Sequence, residues 1–261
     1  MLTDEVRAAW WWAQDRQERV ERHPWGVALA DTRWPRVWDA NFVRVERAPV
    51  TLAEAERAMA AVLERTGGTH ARLWVPEPER VPGFVEAAAE AGYGENRDLA
   101  MLLDGEPASA PGRPAAVEVR WIDHTDPDLA RAMRQYRDAR QIDDEVMDQL
   151  LARDAWLATL GGVRWFAGYL GGEIAGFCAV ATAPNGVSMI DDVTTGEAFR
   201  RRGVATAVVT AATNAAQRAS SVQRTFLTTG TDNAPAIAVY ERLGFHAIAE
   251  VIDLHRGAAR W

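Results

Sequence analysis

Two short segments late in the chain hold the residue types best suited to chemistry. The first is Phe199-Arg200-Arg201-Arg202-Gly203-Val204-Ala205-Thr206, which enters an alanine- and valine-rich run. A helix starting near Val204 leaves its first backbone N–H groups unpaired, and these, with the helix dipole, suit an anion such as a pyrophosphate. Gly203 and Ala205 keep side chains away from that backbone. Arg200, Arg201 and Arg202 add charge that can pair with phosphate, although they equally fit a solvated basic turn. The second segment runs from Asn233 through Pro235 and Tyr240 to Leu243-Gly244-Phe245. Asn233 is suited to cap a helix with Pro235 in its first turn. Tyr240 then stands on that helix, as a proton donor or as a core aromatic with a wet hydroxyl. Both segments occur in this order with one strand's worth of sequence between them, and that pairing favours the chemical readings.

The elements that must position them follow from pattern. Val117–Ile122 predicts a strand, and Asp126-Pro127 opens a helix. A second helix is expected over Asp143–Leu160, stopping at Gly161-Gly162. Val163–Leu170, Ile174–Thr182 and Val187–Thr195, separated by glycine turns, predict an antiparallel meander. A helix from Val204 to Ala219, a strand at Arg224–Thr229, a helix over Ala234–Leu243 and a strand from His246 complete a mixed α/β domain, of α+β character.

Upstream, the run from Asp104 to Pro114 holds three prolines and two glycines and reads as a linker. The expected division is therefore residues 1–104, a linker over 105–115, and a domain over 116–261. The first part repeats a helix-strand-helix pattern: Thr51-x-x-Glu54 is a capping box, a strand covers His70–Val75, and a short helix begins at Pro82. Arg72 and Gly92 lie 20 residues apart, as do Arg224 and Gly244. An internal duplication and a coincidence of common elements both fit. At that offset Tyr240 corresponds to Ala88, Asn233 to Val81 and Gly203 to Thr51, so the first part lacks the chemical residues. Its tryptophans Trp10, Trp11, Trp12, Trp25, Trp34 and Trp38 suit either packing or the lining of a pocket or interface.

Composition excludes several classes. All 29 basic residues are arginine and the net charge is −8, with no basic footprint for nucleic acid. No apolar run approaches the roughly 20 residues of a membrane span, and the charged first residues are unlike a signal peptide. One cysteine, Cys178, precludes an internal disulfide, and the five histidines show no metal-ligand spacing. The expected location is cytoplasmic; oligomeric state is unreadable.

Residues 187–245 resemble the GNAT superfamily of acyl-coenzyme A-dependent N-acyltransferases. The family's loop Arg/Gln-x-x-Gly-x-Gly/Ala is similar to Arg200-Arg201-Arg202-Gly203-Val204-Ala205, and its Asn…Ala…Tyr…Gly-Phe pattern is similar to Asn233, Ala236, Tyr240 and Gly244-Phe245. The resemblance implies a GNAT-like mixed sheet flanked by helices, with a smaller, degenerate GNAT-like domain before it. It implies acetyl-coenzyme A as co-substrate, no metal, and a small-molecule or peptide amine as acceptor, with neither nucleic acid nor membrane as partner. Val193, Thr194 and Thr195 would bond the pantetheine arm through their backbone, and the loop from Arg200 through Gly203, Val204 and Ala205 to Thr206 would cradle the pyrophosphate, with Asn233 nearby. Tyr240 would protonate the departing thiolate, a phenol of pKa about 10 facing a thiol near 8.5. A backbone N–H near Val193 would polarise the carbonyl. Asp191, sharing strand parity with Val193, is the first candidate base; Asp192 and water remain alternatives. Acids at Asp143, Asp144, Glu145 and Asp148 either attract a cationic amine or simply suit a helix N-terminus. A non-catalytic acyl-coenzyme A-binding or interaction module is the alternative function.

Overall fold

The computed structural model describes residues 1–108, 117–138, 142–219 and 224–257. Most of the expected linker, residues 109–115, lies outside them, as does residue 116. The first elements are α1 (Asp4–Gln14), β1 (Arg19–His23), β2 (Gly26–Ala30), β3 (Phe42–Val45), α2 (Leu52–Thr66), β4 (Ala71–Val75), α3 (Phe84–Glu90) and β5 (Gly94–Asp104). There follow β6 (Glu118–Ile122), α4 (Pro127–Asp138), α5 (Asp144–Thr159), β7 (Val163–Leu170), β8 (Glu173–Thr182) and β9 (Ser188–Thr195). The last are α6 (Val204–Ala219), β10 (Arg224–Gly230), α7 (Ala234–Arg242) and β11 (His246–Arg256). The chain forms two compact units that are not contiguous in sequence. One comprises Met1–Leu2, Trp11–Ala100 and the residues from Ile248; the other comprises Thr3–Trp10 and Met101–Ala247.

In the first unit the strands lie in the order β1-β2-β3-β4-β11, with Gly94–Ala100 of β5 beyond β11. β3 and β4 are parallel, while β11 runs antiparallel to β4, from Ile252 beside Val75 to Arg256 beside Ala71. The capping box forms as expected: Thr51 N–H donates to Glu54 Oε2 at 2.7 Å and Glu54 N–H to Thr51 Oγ1 at 3.3 Å. Ala55, Ala58, Met59 and Val62 recur at helical spacing and bury one face of α2 against Val43, Val45, Leu73 and Val75. On the opposite face of the strand Arg44 is fully buried, and its charge is matched by Asp15 and Glu46, each at 2.9 Å, beneath the ring of Trp11. The early tryptophans pack. Trp11 Nε1 donates to Glu46 at 2.8 Å, Trp25 stacks on His23, and Trp10, in the other unit, meets Phe226 at 5.4 Å.

Trp38 stacks on His70 at 5.1 Å, and His70 is 2% exposed. Burial pulls the imidazole pKa down from 6.5 to about 4, against a hydrogen bond from His70 Nε2 to the Asn41 carbonyl that favours the charged form. The unfolded chain therefore takes up a proton that folded His70 refuses. The stability held by the neutral ring is complete above pH 6.5 and is lost as pH falls toward 4. His70→Gln is expected to remove pH dependence on the order of 2 kcal/mol between pH 6.5 and 5, read from denaturant midpoints along that range. An unchanged slope would place the titration elsewhere.

In the second unit the order is β10-β9-β8-β7-β6, with Met101–Asp104 of β5 beyond β10. β6 to β9 form the expected antiparallel meander, and β9 meets β10 in parallel. Leu129 and Met133 of α4 pack on Trp165, Phe177 and Ala179, while Val204 of α6 packs with Leu170 and Ala175. This is a mixed α/β fold whose central feature for function is where β9, β10 and α6 begin and end. At an offset of 152 residues the two units correspond in part: α2 starts at Leu52 and α6 at Val204, and left-handed Gly92 and Gly244 follow α3 and α7.

Candidate active site

The ladder between β9 and β10 is short. It pairs Ser188 with Thr225 and Met189 with Phe226 and goes no further, although β9 continues to Thr195 and β10 to Gly230. Past Met189 the β10-facing edge of β9 is thus open for hydrogen bonding. On its other side β9 stays paired with β8, but the register shifts: Ala179 faces Asp191 and Phe177 faces Thr194. Cys178 alone opposes Asp192 and Val193, which makes a β-bulge. Asp192 sits at φ 50°, and its N–H donates to Asp191 Oδ1 at 2.8 Å. The bulge breaks the alternation on which the parity of Asp191 with Val193 rests. Asp191 shares a sheet face with its partner Ala179, which belongs to the α4 side, and it is exposed.

Beyond Thr195 the chain turns into α6. Arg201 at φ 61° and Gly203 at φ 81° are both left-handed, flanking a turn that leads straight into the helix. The first bond of α6 is Ala207 N–H to the Gly203 carbonyl, at 3.0 Å. Among the described residues no backbone N–H from Arg201 to Thr206 has a hydrogen-bond acceptor. Such a row of donors at a helix N-terminus is a concave anion site, reinforced by the dipole. Arg200, Arg201 and Arg202 are exposed; Arg200 approaches Glu197 at 4.0 Å and Arg202 lies 5.8 Å from the Phe199 ring. Contacts of this kind are worth at most about 1 kcal/mol, so these guanidinium groups are easily recruited to a phosphate.

Gly176 holds strand and helix together at this point. A Cβ there would lie 2.5 Å from the Thr194 carbonyl oxygen and 2.7 Å from Val204 Cγ1. Gly176→Ala is expected to cost about 1–3 kcal/mol of stability, measured by urea unfolding, and to shift the start of α6 from β9. Wild-type stability in that variant would contradict the close approach.

Tyr240 is 5% exposed on α7, its ring 6.1 Å from Phe245. Burial pushes the phenol pKa well above its ordinary value of 10, helped by the nearby Cys178 and Asp191. The hydroxyl is therefore a firmly held proton throughout the neutral range, and among the described residues it donates to no one. Cys178 is itself fully buried and its thiol is pushed up by burial and by Asp192. Asn233 is occupied as the cap of α7: Oδ1 accepts from Ala236 N–H at 3.4 Å and Nδ2 donates to Thr229 at 3.3 Å. Asp143 likewise caps α5, accepting from Val146 N–H at 3.0 Å, and Asp148 pairs with Arg134.

Of the expected site residues, Asp191 is near enough for its charge to act on the Tyr240 phenol, and Val193, Thr194 and Thr195 lie on β9 past Met189, before the Arg200–Thr206 loop. Sequence reasoning missed Gly176, although a glycine inside a strand is a recognised mark of close backbone approach. Among the described residues no group of three or more His, Cys, Asp or Glu is arranged to hold a metal, and no helix is long and apolar enough to cross a membrane.

Residues 124–245 match the sequence profile of the acetyltransferase (GNAT) family. The matched stretch lies within the second unit and marks it as GNAT-like. No curated protein matches the chain. Among solved structures it is similar to a GCN5-related N-acetyltransferase from Kribbella flavida, with a TM-score of 0.72 at 18% identity over 97% of this chain and 95% of that one. A conserved protein of unknown function from Staphylococcus epidermidis aligns with a TM-score of 0.73 at 13% identity, covering 94% and 95%. A tandem GNAT protein from the clavulanic acid biosynthesis pathway aligns with a TM-score of 0.59 at 20% identity, covering 84% and 76%. At these identities the likeness is one of fold.

Proposed function

We propose that this protein is a tandem GNAT whose second unit transfers an acetyl group from acetyl-coenzyme A to the amine of a small molecule or peptide, and that it works in the cytoplasm. The observation that carries the reading is the parting of β9 from β10 after Met189, next to the unpaired N–H row at the start of α6. An open strand edge suits an extended arm bearing amides, and the N–H row suits a diphosphate. Those two features, side by side, support a coenzyme A site.

When bound, acetyl-coenzyme A would supply an acetyl group activated as a thioester. The backbone of Val193, Thr194 and Thr195 holds the arm, and the N–H groups of Arg201–Thr206, with Arg200, Arg201 and Arg202, hold the diphosphate. Asn233 acts indirectly, by fixing the start of α7 and so the position of Tyr240. Tyr240 keeps a proton at Oη ready for the sulfur as it departs. Asp191, directly or through a water, takes the proton of the incoming amine. Positioning the amine against the donor supplies much of the rate. The first unit, which lacks equivalents of Gly203 and Tyr240, binds no coenzyme on this reading.

Transfer is direct, because the one cysteine is buried with its thiol held protonated and so is no acyl carrier. The test is release of free thiol from acetyl-coenzyme A in the presence of primary amines; no release with any amine would sink the reading. A companion measurement uses the absence of lysine. Intact-mass analysis after incubation with acetyl-coenzyme A is expected to show at most one acetyl, on the Met1 amine, since arginine stays protonated. A second acetyl would indicate an acyl-enzyme and overturn direct transfer.

A further inference from the structure

Tyr136 ties α4 to the point where β9 ends. Leu129, Ala132, Met133 and Tyr136 recur at helical spacing and pack in one cluster with Phe177 and Ala179 of β8. The Tyr136 ring lies nearly parallel to that of Phe177, 11° apart with centroids at 6.3 Å. Its hydroxyl donates to the Ile174 carbonyl on β8 at 2.5 Å. Burial, with the Glu173 carboxylate, pushes the phenol above its ordinary value of 10, so the donated proton stays in place at neutral pH. The same ring closes on Gly196, the residue after Thr195. A Cβ at position 196 would lie 2.6 Å from Tyr136 Cζ, 2.7 Å from Cε1 and 2.9 Å from Oη, nearer than a side-chain carbon packs. The backbone itself does not require glycine there, since φ −55° and ψ 141° are open to any residue. What excludes a side chain is the tyrosine ring. Gly196 N–H in turn donates to the Ala175 carbonyl at 3.0 Å, so adjacent carbonyls of β8 hold the tyrosine and the glycine.

We infer that Tyr136 and Gly196 form a clamp that sets the geometry of the coenzyme site, with Tyr136 as a positioning residue for coenzyme binding. The inference rests on the reading of Val193–Thr195 and Arg201–Thr206 as that site. Its two halves join at Gly196: the open edge ends at Thr195, one residue before it, and the N–H row starts at Arg201, five residues after it. A displacement of the chain at Gly196 therefore changes the distance between the contacts to the arm and those to the diphosphate. One coenzyme must make both sets at once, so a misplaced join weakens its binding. Tyr136 supplies no proton to the reaction, because its hydroxyl is engaged by Ile174. Its loss thus costs binding rather than chemistry.

Coenzyme A titrated calorimetrically into the full chain and its variants tests this. Gly196→Ala forces the ring away and should weaken binding by about tenfold, as should Tyr136→Ala, which leaves the glycine unsupported. Tyr136→Phe keeps the ring and should stay within about threefold of the wild type. The double variant Tyr136→Ala/Gly196→Ala should bind like Tyr136→Ala alone, because the added methyl then meets no ring. Two independent losses would instead multiply to about a hundredfold. In the thiol-release assay Gly196→Ala and Tyr136→Ala should raise the KM for acetyl-coenzyme A and leave kcat within about twofold, the pattern of lost uniform binding. A tyrosine that merely filled the core would lower the unfolding temperature and leave the affinity alone. Affinity unmoved in both single alanine variants, or effects that multiply in the double variant, would overturn the clamp while the coenzyme site stands. A wild type that binds no coenzyme would overturn the site and the clamp together.

Discussion

Coenzyme A titrated into Gly203→Glu is expected to show no binding where the wild type shows one site per chain. Two effects act together. Position 203 has φ 81°, a conformation that costs a side-chain-bearing residue roughly 1–2 kcal/mol. The new carboxylate also stands at the mouth of the unpaired N–H row, where it repels a diphosphate and competes for the same donors. Removing either effect alone gives a graded result. Gly203→Ala retains the strain without the charge, and its affinity should fall by about tenfold, equivalent to about 1.4 kcal/mol. Two coenzyme sites per chain, or unchanged affinity in the glutamate variant, would remove the anion-cradle reading of Arg201–Thr206.

Tyr240→Phe should lower turnover by about 10²-fold while the coenzyme affinity stays as it is, because the ring remains and only the proton is lost. The raised phenol pKa adds a pH signature. Activity that needs the protonated phenol is retained below the pKa and lost as pH rises through it, and here that pKa lies above the ordinary value of 10. The alkaline limb of kcat for the wild type should therefore stay flat to pH 10. The raised pKa makes Tyr240 a weaker acid, so it serves by having its proton in place rather than by driving its release. Full activity in the phenylalanine variant would show that the thiolate takes its proton from water.

Much of the second unit was legible because each element carries its own punctuation. The Gly171-Gly172 and Pro184-Asn185-Gly186 turns delimit the meander, and the helix over Val204–Ala219 has the predicted bounds. The bulge at Asp192 was not legible, since Ile190-Asp191-Asp192-Val193 alternates no differently from a regular strand. Only the register with β8 shows that two residues there face the single Cys178. Asn233 has the residue type for a helix cap, and its Oδ1 accepts from Ala236 N–H as that role requires. Of the elements without a sequence assignment, β1, β3 and β5 mix charged with apolar positions and carry no clean alternation. β3 buries Arg44 beside Phe42, and half of β5 is the polar run Gly94-Glu95-Asn96-Arg97-Asp98. The interchange of chain segments between the units has no local signal, because β4 selects its partner strand from beyond residue 248 by burial and pairing rather than by proximity in sequence.

That interchange has a consequence for how the polypeptide is made. Arg72 on β4 bonds Asp253 on β11 across 181 residues of chain. At a synthesis rate of about 5–20 residues per second, β4 leaves the ribosome on the order of 10–40 s before the strand that completes it. Once Ala100 has also emerged, the first unit still lacks β11, and the edge of β4 that pairs with it is open to a foreign strand. The N-terminal part of the chain thus cannot complete its unit during its own translation, and its ordering awaits the synthesis of β11.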